Sequence, residues 1–399
     1  MSRCADHVCP MESNNQLNCG LIIGTLQITV EAIGESIRDD TGRLWLMLDD
    51  LESAPPSLRQ LVQALRAEPM LDIFNNKLQV LPDHATRWQI TNLAEWLIRR
   101  ALDDGASRAV ADLNRYVEAA QLPFTMVLCI KGLEVNTRCD FDNEISLIPW
   151  DLLPPSGRKG RINGSYECFR IPSAAIIRQV NLPKMHVNKT TSFPSAPDFS
   201  ELHDALLCIG ISGPFGPEWT ESWLDPPPWA PVSGHVYTPA YLEGPPHYDT
   251  WTEDHCLTTT RLFSIFQGLS ARKKDALRLP MRRLNSAMRR ISSADRAIDL
   301  GIALEALFLS DLNEDRGEIT FRLSLRMARY LRHDSEKRTS VFKTAKKLYG
   351  LRSTAIHTGQ ISADKATSEI LQEGCLLTAE AIRRFIEDGP PNWQAIQLG

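Results

Sequence analysis

Six segments with apolar residues at helical spacing follow one another from Cys256 to the end of the chain, at roughly 257–270, 275–291, 294–310, 317–332, 336–349 and 362–387. Apolar positions that recur every three to four residues place one face of a helix against a core. Short connections between such helices make neighbours antiparallel, so this region is expected to fold as an up-and-down helical bundle. Gly350 is expected to end the helix before it in a left-handed cap. Ser362 is the expected N-cap of the last helix, with Asp364 in its first turn.

The rest of the chain follows other patterns. From about Ser53 to Ala120 the reading is helical: Ser57 follows Pro55 and Pro56, Leu58, Leu61 and Leu65 come next, and similar spacing recurs in Trp88–Leu102 and Ala106–Ala119. Between about Leu122 and Tyr248 the pattern is strand-like, with short apolar runs at Phe124–Ile130, Ile145–Trp150, Ala174–Val180 and Ala205–Ile211 separated by Pro and Gly clusters. Ser212–Tyr248 is rich in Pro, Trp and Gly and is expected to be a long surface loop. The expected fold is therefore α+β. A mostly helical region (1–120) leads into a β-rich region (121–255), and an all-α bundle (256–399) follows; 399 residues suffice for two or three such domains.

Charge separates the two ends of the chain. Residues 261–399 hold 24 Lys and Arg against 16 Asp and Glu, leaving 20 against 33 for residues 1–260, so a net charge of −5 conceals a basic C-terminal part. Such asymmetry points to a polyanion at the basic end. Residues 261–290 alone carry Arg261, Arg272, Lys273, Lys274, Arg278, Arg282, Arg283, Arg289 and Arg290 against Asp275. Of these, Arg282 and Arg283 are candidate RNA contacts.

Nine scattered cysteines without a C-x-x-C pair argue against a disulfide framework. Cys4, His7 and Cys9 are close enough in sequence to suggest zinc, but no second ligand pair follows at matching spacing, and a disordered N-terminus is the expectation. No metal or cofactor is expected. No apolar stretch follows a basic N-terminal region, and Cys19–Gly34 is read as too short and too polar to span a bilayer. A cytoplasmic protein without a membrane partner is expected.

The chemistry concentrates at Lys347–Gly359, where Arg352 and His357 are separated by four residues. Histidine titrates near neutrality, so it can take a proton from a ribose 2′-hydroxyl or give one to a leaving 5′-oxygen. Arginine stays charged and can grip a phosphate through two donors. With the substrate's own hydroxyl as nucleophile no metal is required, and DNA would be inert. Five helical steps turn the chain by about 140°, so the two side chains would flank a groove rather than stack. Lys343, Lys346 and Lys347 lie just upstream and could extend a basic track for RNA.

This bare spacing is common by chance, but its surroundings narrow the reading. Pro280–Ala287, Asp295–Phe308, Tyr349–Arg352 and His357–Gly359 resemble the HEPN superfamily of helical nucleases, in particular its Apea-like branch associated with bacterial anti-phage defence. The resemblance covers roughly residues 260–387, and Leu147–Pro154 resembles the β-rich region before the bundle. It implies a homodimer in which two R-x-x-x-x-H motifs form one composite RNA-cleaving cleft, with Arg352 and His357 matching the motif. Many members carry Asn, Asp or His directly after the arginine, where this chain has Ser353. The resemblance further implies a toxin-like endoribonuclease, answering to a phage-derived trigger or a regulatory partner.

Glu305 lies on the helical stripe Ile298, Ile302, Glu305 and Leu309, where a carboxylate needs a partner. Arg322 or Arg326 is the expected one; the alternative is that Glu305 orients Arg352 or His357. Asp83-His84 is read as the start of a helix, and His235, His247 and His255 show no ligand spacing. No P-loop, Rossmann glycine pattern or G-x-S-x-G occurs. Two other functions remain open: a non-catalytic RNA-binding or dimerisation module, and an interaction scaffold working through the Pro/Trp-rich loop.

Overall fold

A computed structural model describes residues 17–38, 44, 47–80, 85–153, 172–183, 186–187, 198–213, 215–224, 249–311 and 318–398. They form an α+β protein that divides into two units, one drawn from Met1–Phe124, Asn181–Pro197 and Asp225–His235, the other from Thr125–Val180, Asp198–Leu224 and Val236–Gly399. Unit 1 takes its later two segments from the region 121–255 that the sequence analysis sets apart as β-rich. The change of pattern near 255 falls inside the second unit.

Unit 1 is built on α1 (Cys19–Arg38), α2 (Pro56–Ala67), α3 (Ile90–Asp104) and α4 (Ala106–Glu118). Pro56 opens α2 at a position where its missing N–H has no helical partner to lose. Gly105, at φ 85°, separates α3 from α4. The helical reading fails between α2 and α3. There β1 (Asn75–Val80) pairs antiparallel with β2 (Ala85–Gln89), and β8 (His186–Val187) joins the other edge of β1. The helix expected from Trp88 starts at Ile90 instead. His84 lies outside the described residues.

The reading of Cys19–Gly34 also needs correction. Cys19–Ile37, with a mean hydropathy of 1.2, is long and apolar enough to cross a membrane by length and composition. The face carrying Ile22, Leu26, Thr29, Ile33 and Ile37 is nevertheless buried inside unit 1. The Thr29 hydroxyl is satisfied there, donating to the carbonyls of Thr25 (2.8 Å) and Ser57 (3.1 Å).

In unit 2 a five-stranded sheet has the order β5 (Cys139–Asp140), β6 (Ile145–Pro149), β7 (Ala174–Pro183), β3 (Gln121–Lys131), β9 (Glu218–Leu224). A further short pair joins β4 (Leu133–Glu134) in parallel to β10 (Asp249–Thr250). Val127, Cys129, Ile148, Trp150, Leu153 and Ala175 form a buried cluster on the sheet. Strand β9 lies within the stretch expected to be a loop and pairs antiparallel with β3 from Glu218 to Leu224. Residues 225–248, with His235 and His247, lie outside the described residues, as do Cys4, His7 and Cys9.

The apolar run Ala205–Ile211 is not a strand. It lies in α5 (Ser200–Ser212), which is buried on nearly every side, so a polar face never interrupts its pattern. Asp204 on α5 is itself buried and paired: Arg278 donates to both its carboxylate oxygens at 2.8 Å, and Gln267 donates to one at 3.3 Å. Those partners come from α6 (Glu253–Gln267) and α7 (Ala271–Arg289). Helix α6 begins at a capping box in which the Thr252 hydroxyl accepts from His255 N–H and the His255 ring accepts from Thr252 N–H, which gives His255 a structural role.

The remaining helices are α8 (Ser293–Phe308), α9 (Ile319–Leu331), α10 (Ser335–Thr358), α11 (Lys365–Asp388) and α12 (Trp393–Leu398). Gly350 does not end a helix: α10 runs through it, and Gly359, at φ 72°, supplies the left-handed cap nine residues later. The N-cap of α11 is Asp364 rather than Ser362. Its carboxylate accepts from Thr367 N–H at 2.7 Å and from the Ser362 hydroxyl, bonds that hold it below the usual carboxylate range.

Among the described residues one disulfide, Cys139–Cys256, ties β5 to the first turn of α6, with the two Cα atoms 5.9 Å apart. The scattered spacing of the cysteines hid this pair, which is 117 residues apart in sequence.

Removing one partner of a buried ion pair strands the other charge, so Arg278→Ala should lower stability by about 3–5 kcal/mol. Urea unfolding of the variant against the native chain measures this; a change within 0.5 kcal/mol, the range of an ordinary surface substitution, would contradict the role given to the pair.

Candidate functional site

Helix α10 carries Lys343, Lys346, Lys347, Arg352, Ser353 and His357, whereas Glu305 lies on α8 and Arg282 and Arg283 lie on α7. Lys343, Lys346, Lys347, Gly350, Thr354 and His357 are exposed and recur at intervals of one helical turn, so they share one face. Arg352 leaves the helix from another side. Its stem lies against Gly301 of α8, where an added Cβ would collide with the arginine Cγ. Leu348 uses Gly374 of α11 in the same way, with a virtual Cβ at 2.7 Å.

Arg352 meets Glu305 across that contact. Its Nη2 lies 3.0 Å from Oε1 and donates to Oε2 at 3.3 Å. The Tyr349 hydroxyl donates to the same Oε1 at 2.5 Å. The Tyr349 ring lies beneath the guanidinium, 5.2 Å from its carbon to the ring centroid. Burial, and then the hydrogen bond to Glu305, push the Tyr349 phenol up to about 12, so it remains a donor across the neutral range. The Nε of Arg352 is buried without a partner. Both side chains of the ion pair keep some contact with solvent, at 24% for Arg352 and 31% for Glu305.

Glu305 therefore does not pair as first expected. Arg326 is committed to Asp311, at 2.6 and 3.1 Å, and to the carbonyl of Phe308. The stripe Ile298, Ile302, Glu305 and Leu309 is half-buried, while the core face of α8 is Ala297, Leu300, Ala303, Leu304 and Leu307. Glu305 thus sits at the rim of the core, where a partly solvated ion pair is tolerated.

His357 and Ser353 stand apart from this cluster. Among the described residues no hydrogen bond or ion pair joins either side chain to Arg352. The Lys343, Lys346 and Lys347 face is open, but the basic run across α6 and α7 is less available. Arg283 and Arg290 both grip the buried Asp299, at 2.9 and 3.0 Å, Arg261 pairs with Glu387, and Arg278 with Asp204. Arg282 is exposed. Tyr349 and Gly301 lie within the residues that carry the sequence resemblance, yet their part in the site went unread. Tyr349 sits one helical turn before Arg352, a spacing at which an aromatic ring and a guanidinium meet.

Gly301→Ala should force the Arg352 stem off α8 and destabilise the chain by about 1–3 kcal/mol, as overpacking does. Thermal unfolding reads this, and an unchanged midpoint would show that α8 and α10 do not need the close approach.

No family model, curated protein or solved structure matches this chain.

Proposed function

We propose that this protein is an endoribonuclease that cuts RNA through the substrate's 2′-hydroxyl, with Arg352 and His357 as its catalytic residues and a second copy of the chain completing the cleft. The observation that carries the reading is the state of Arg352. Glu305 engages its Nη2 and Tyr349 supports its face, while the side chain stays 24% exposed. A charged, partly exposed guanidinium held at one terminal nitrogen is suited to an incoming anion. An exposed histidine on the same helix and an exposed lysine face beside it fit a phosphodiester chain.

In the proposed reaction the ribose 2′-oxygen attacks phosphorus and loses its proton to a base. The bond to the 5′-oxygen breaks, and that oxygen takes a proton from an acid. The products are a 2′,3′-cyclic phosphate and a 5′-hydroxyl. His357 supplies acid–base chemistry, and Arg352 stabilises the charge building on the non-bridging oxygens. Because Arg352 and His357 leave α10 about 140° apart, one phosphate is best reached by the arginine of one chain and the histidine of another. The resemblance to defence nucleases extends the proposal to a toxin-like effector acting on cytoplasmic RNA, with unit 1 restraining it or sensing a phage-derived trigger.

A second reading has its own support. The lysine face is complete without any contact between His357 and Arg352, so a module that binds RNA or dimerises without cutting fits the same surface.

Purified chain with structured RNA in EDTA separates the two. Arg352→Ala and His357→Ala should each slow cleavage at least about 100-fold with the fold intact. Mixing the two variants should restore part of the activity, since a mixed dimer holds one intact arginine–histidine pair. Undiminished cleavage in either variant defeats the mechanism, whereas RNA binding without any cleavage by the native chain favours the second reading.

A further inference from the structure

We propose that Tyr349 is the positioning residue of the site: by holding one oxygen of Glu305, it keeps that carboxylate from closing over the Arg352 guanidinium and leaves the arginine able to receive a phosphate. This inference rests on the phosphate-binding role given to Arg352 above.

A carboxylate beside an arginine normally takes it through two parallel N–H bonds, using both oxygens. Glu305 does not. Both of its oxygens approach a single terminal nitrogen, Nη2, at 3.0 and 3.3 Å. The stronger claim on Oε1 is that of the Tyr349 hydroxyl, at 2.5 Å. The hydroxyl thus occupies Oε1, the guanidinium hydrogen bond goes to Oε2, and the carboxylate stays at the edge of the arginine. An incoming phosphate then displaces water from the arginine rather than a bidentate carboxylate.

The ring of the same tyrosine fixes the plane of the guanidinium. Tyr349 and Arg352 are one turn apart on α10, and the guanidinium carbon lies 5.2 Å from the ring centroid. Gly301 removes the Cβ that would block the arginine stem, so the ring on one side and α8 on the other confine it. Tyr349 is 7% exposed, so it reaches the ligand through Arg352 and Glu305 and not directly. Burial and the Glu305 hydrogen bond keep its phenol protonated, as the donor role requires.

The test uses the full chain and a 2′-O-methyl RNA oligonucleotide, which binds but cannot be cut by the proposed route. Tyr349→Phe keeps the ring and its packing and removes only the hydroxyl. It should weaken binding about tenfold, the worth of one charge-assisted hydrogen bond to phosphate. Adding Glu305→Gln, which removes the competing charge, should restore most of that loss. In an Arg352→Ala background Tyr349→Phe should have no further effect.

A tyrosine that merely supports the fold gives a different pattern: its loss would be neither rescued by Glu305→Gln nor erased by Arg352→Ala. Either result, or native-like binding by Tyr349→Phe when Arg352→Ala weakens it, overturns the proposal and leaves the role of Arg352 standing. Native-like binding by Arg352→Ala removes that role as well, and the Tyr349 proposal falls with it.

Discussion

Two glycines set how closely the helices of the site approach. Gly301 on α8 receives the stem of Arg352, and Gly374 on α11 receives Leu348, both from α10. A side chain at either place would hold α10 away from its neighbours. Bringing the helices together in this way puts Glu305, Tyr349 and Arg352 within hydrogen-bonding and stacking distance while Lys343, Lys346, Lys347 and His357 remain on the outer face. The division of α10 into an inner arginine and an outer histidine follows from that placement and from the five-residue step between them.

Much of the helical part was legible because amphipathic helices announce themselves by period. The six segments after residue 256 correspond to α6 through α11, with differences mainly at the ends. The fifth runs on past Gly350, since glycine within an exposed helix gives the same signal as glycine that ends one. Helix α5 departs from the expected strand for the opposite reason. With Leu202, Ala205, Leu206, Leu207, Cys208, Ile209 and Ile211 all buried, it shows a continuous apolar run that a strand would also show. Between β1 and β2 the chain reads Leu81-Pro82-Asp83-His84, and Pro followed by Asp signals a turn as well as a helix start.

The site was legible only in part. Arg352 and His357 stand out by residue type and by surrounding sequence. Glu305 stood out as a carboxylate needing a partner, but which arginine answers it depends on how α8, α9 and α10 pack. Arg326 turns to Asp311 and lies 5.0 Å over the Trp393 ring, leaving Glu305 to Arg352. The count of positive charge was a weaker guide for a related reason: internal carboxylates take up much of it on α7, and the open cations on α10 are fewer but better aligned.

The Cys139–Cys256 link has a topological consequence. It closes a ring of chain that contains α5, β6, β7, β9 and the segments Asn181–Pro197 and Asp225–His235 assigned to unit 1. While the bond stands, a single proteolytic cut anywhere within that ring opens the backbone without releasing a fragment. Helix α10, which carries Arg352 and His357, would stay covalently joined to the N-terminal part of the chain until a reductant reached the sulfurs.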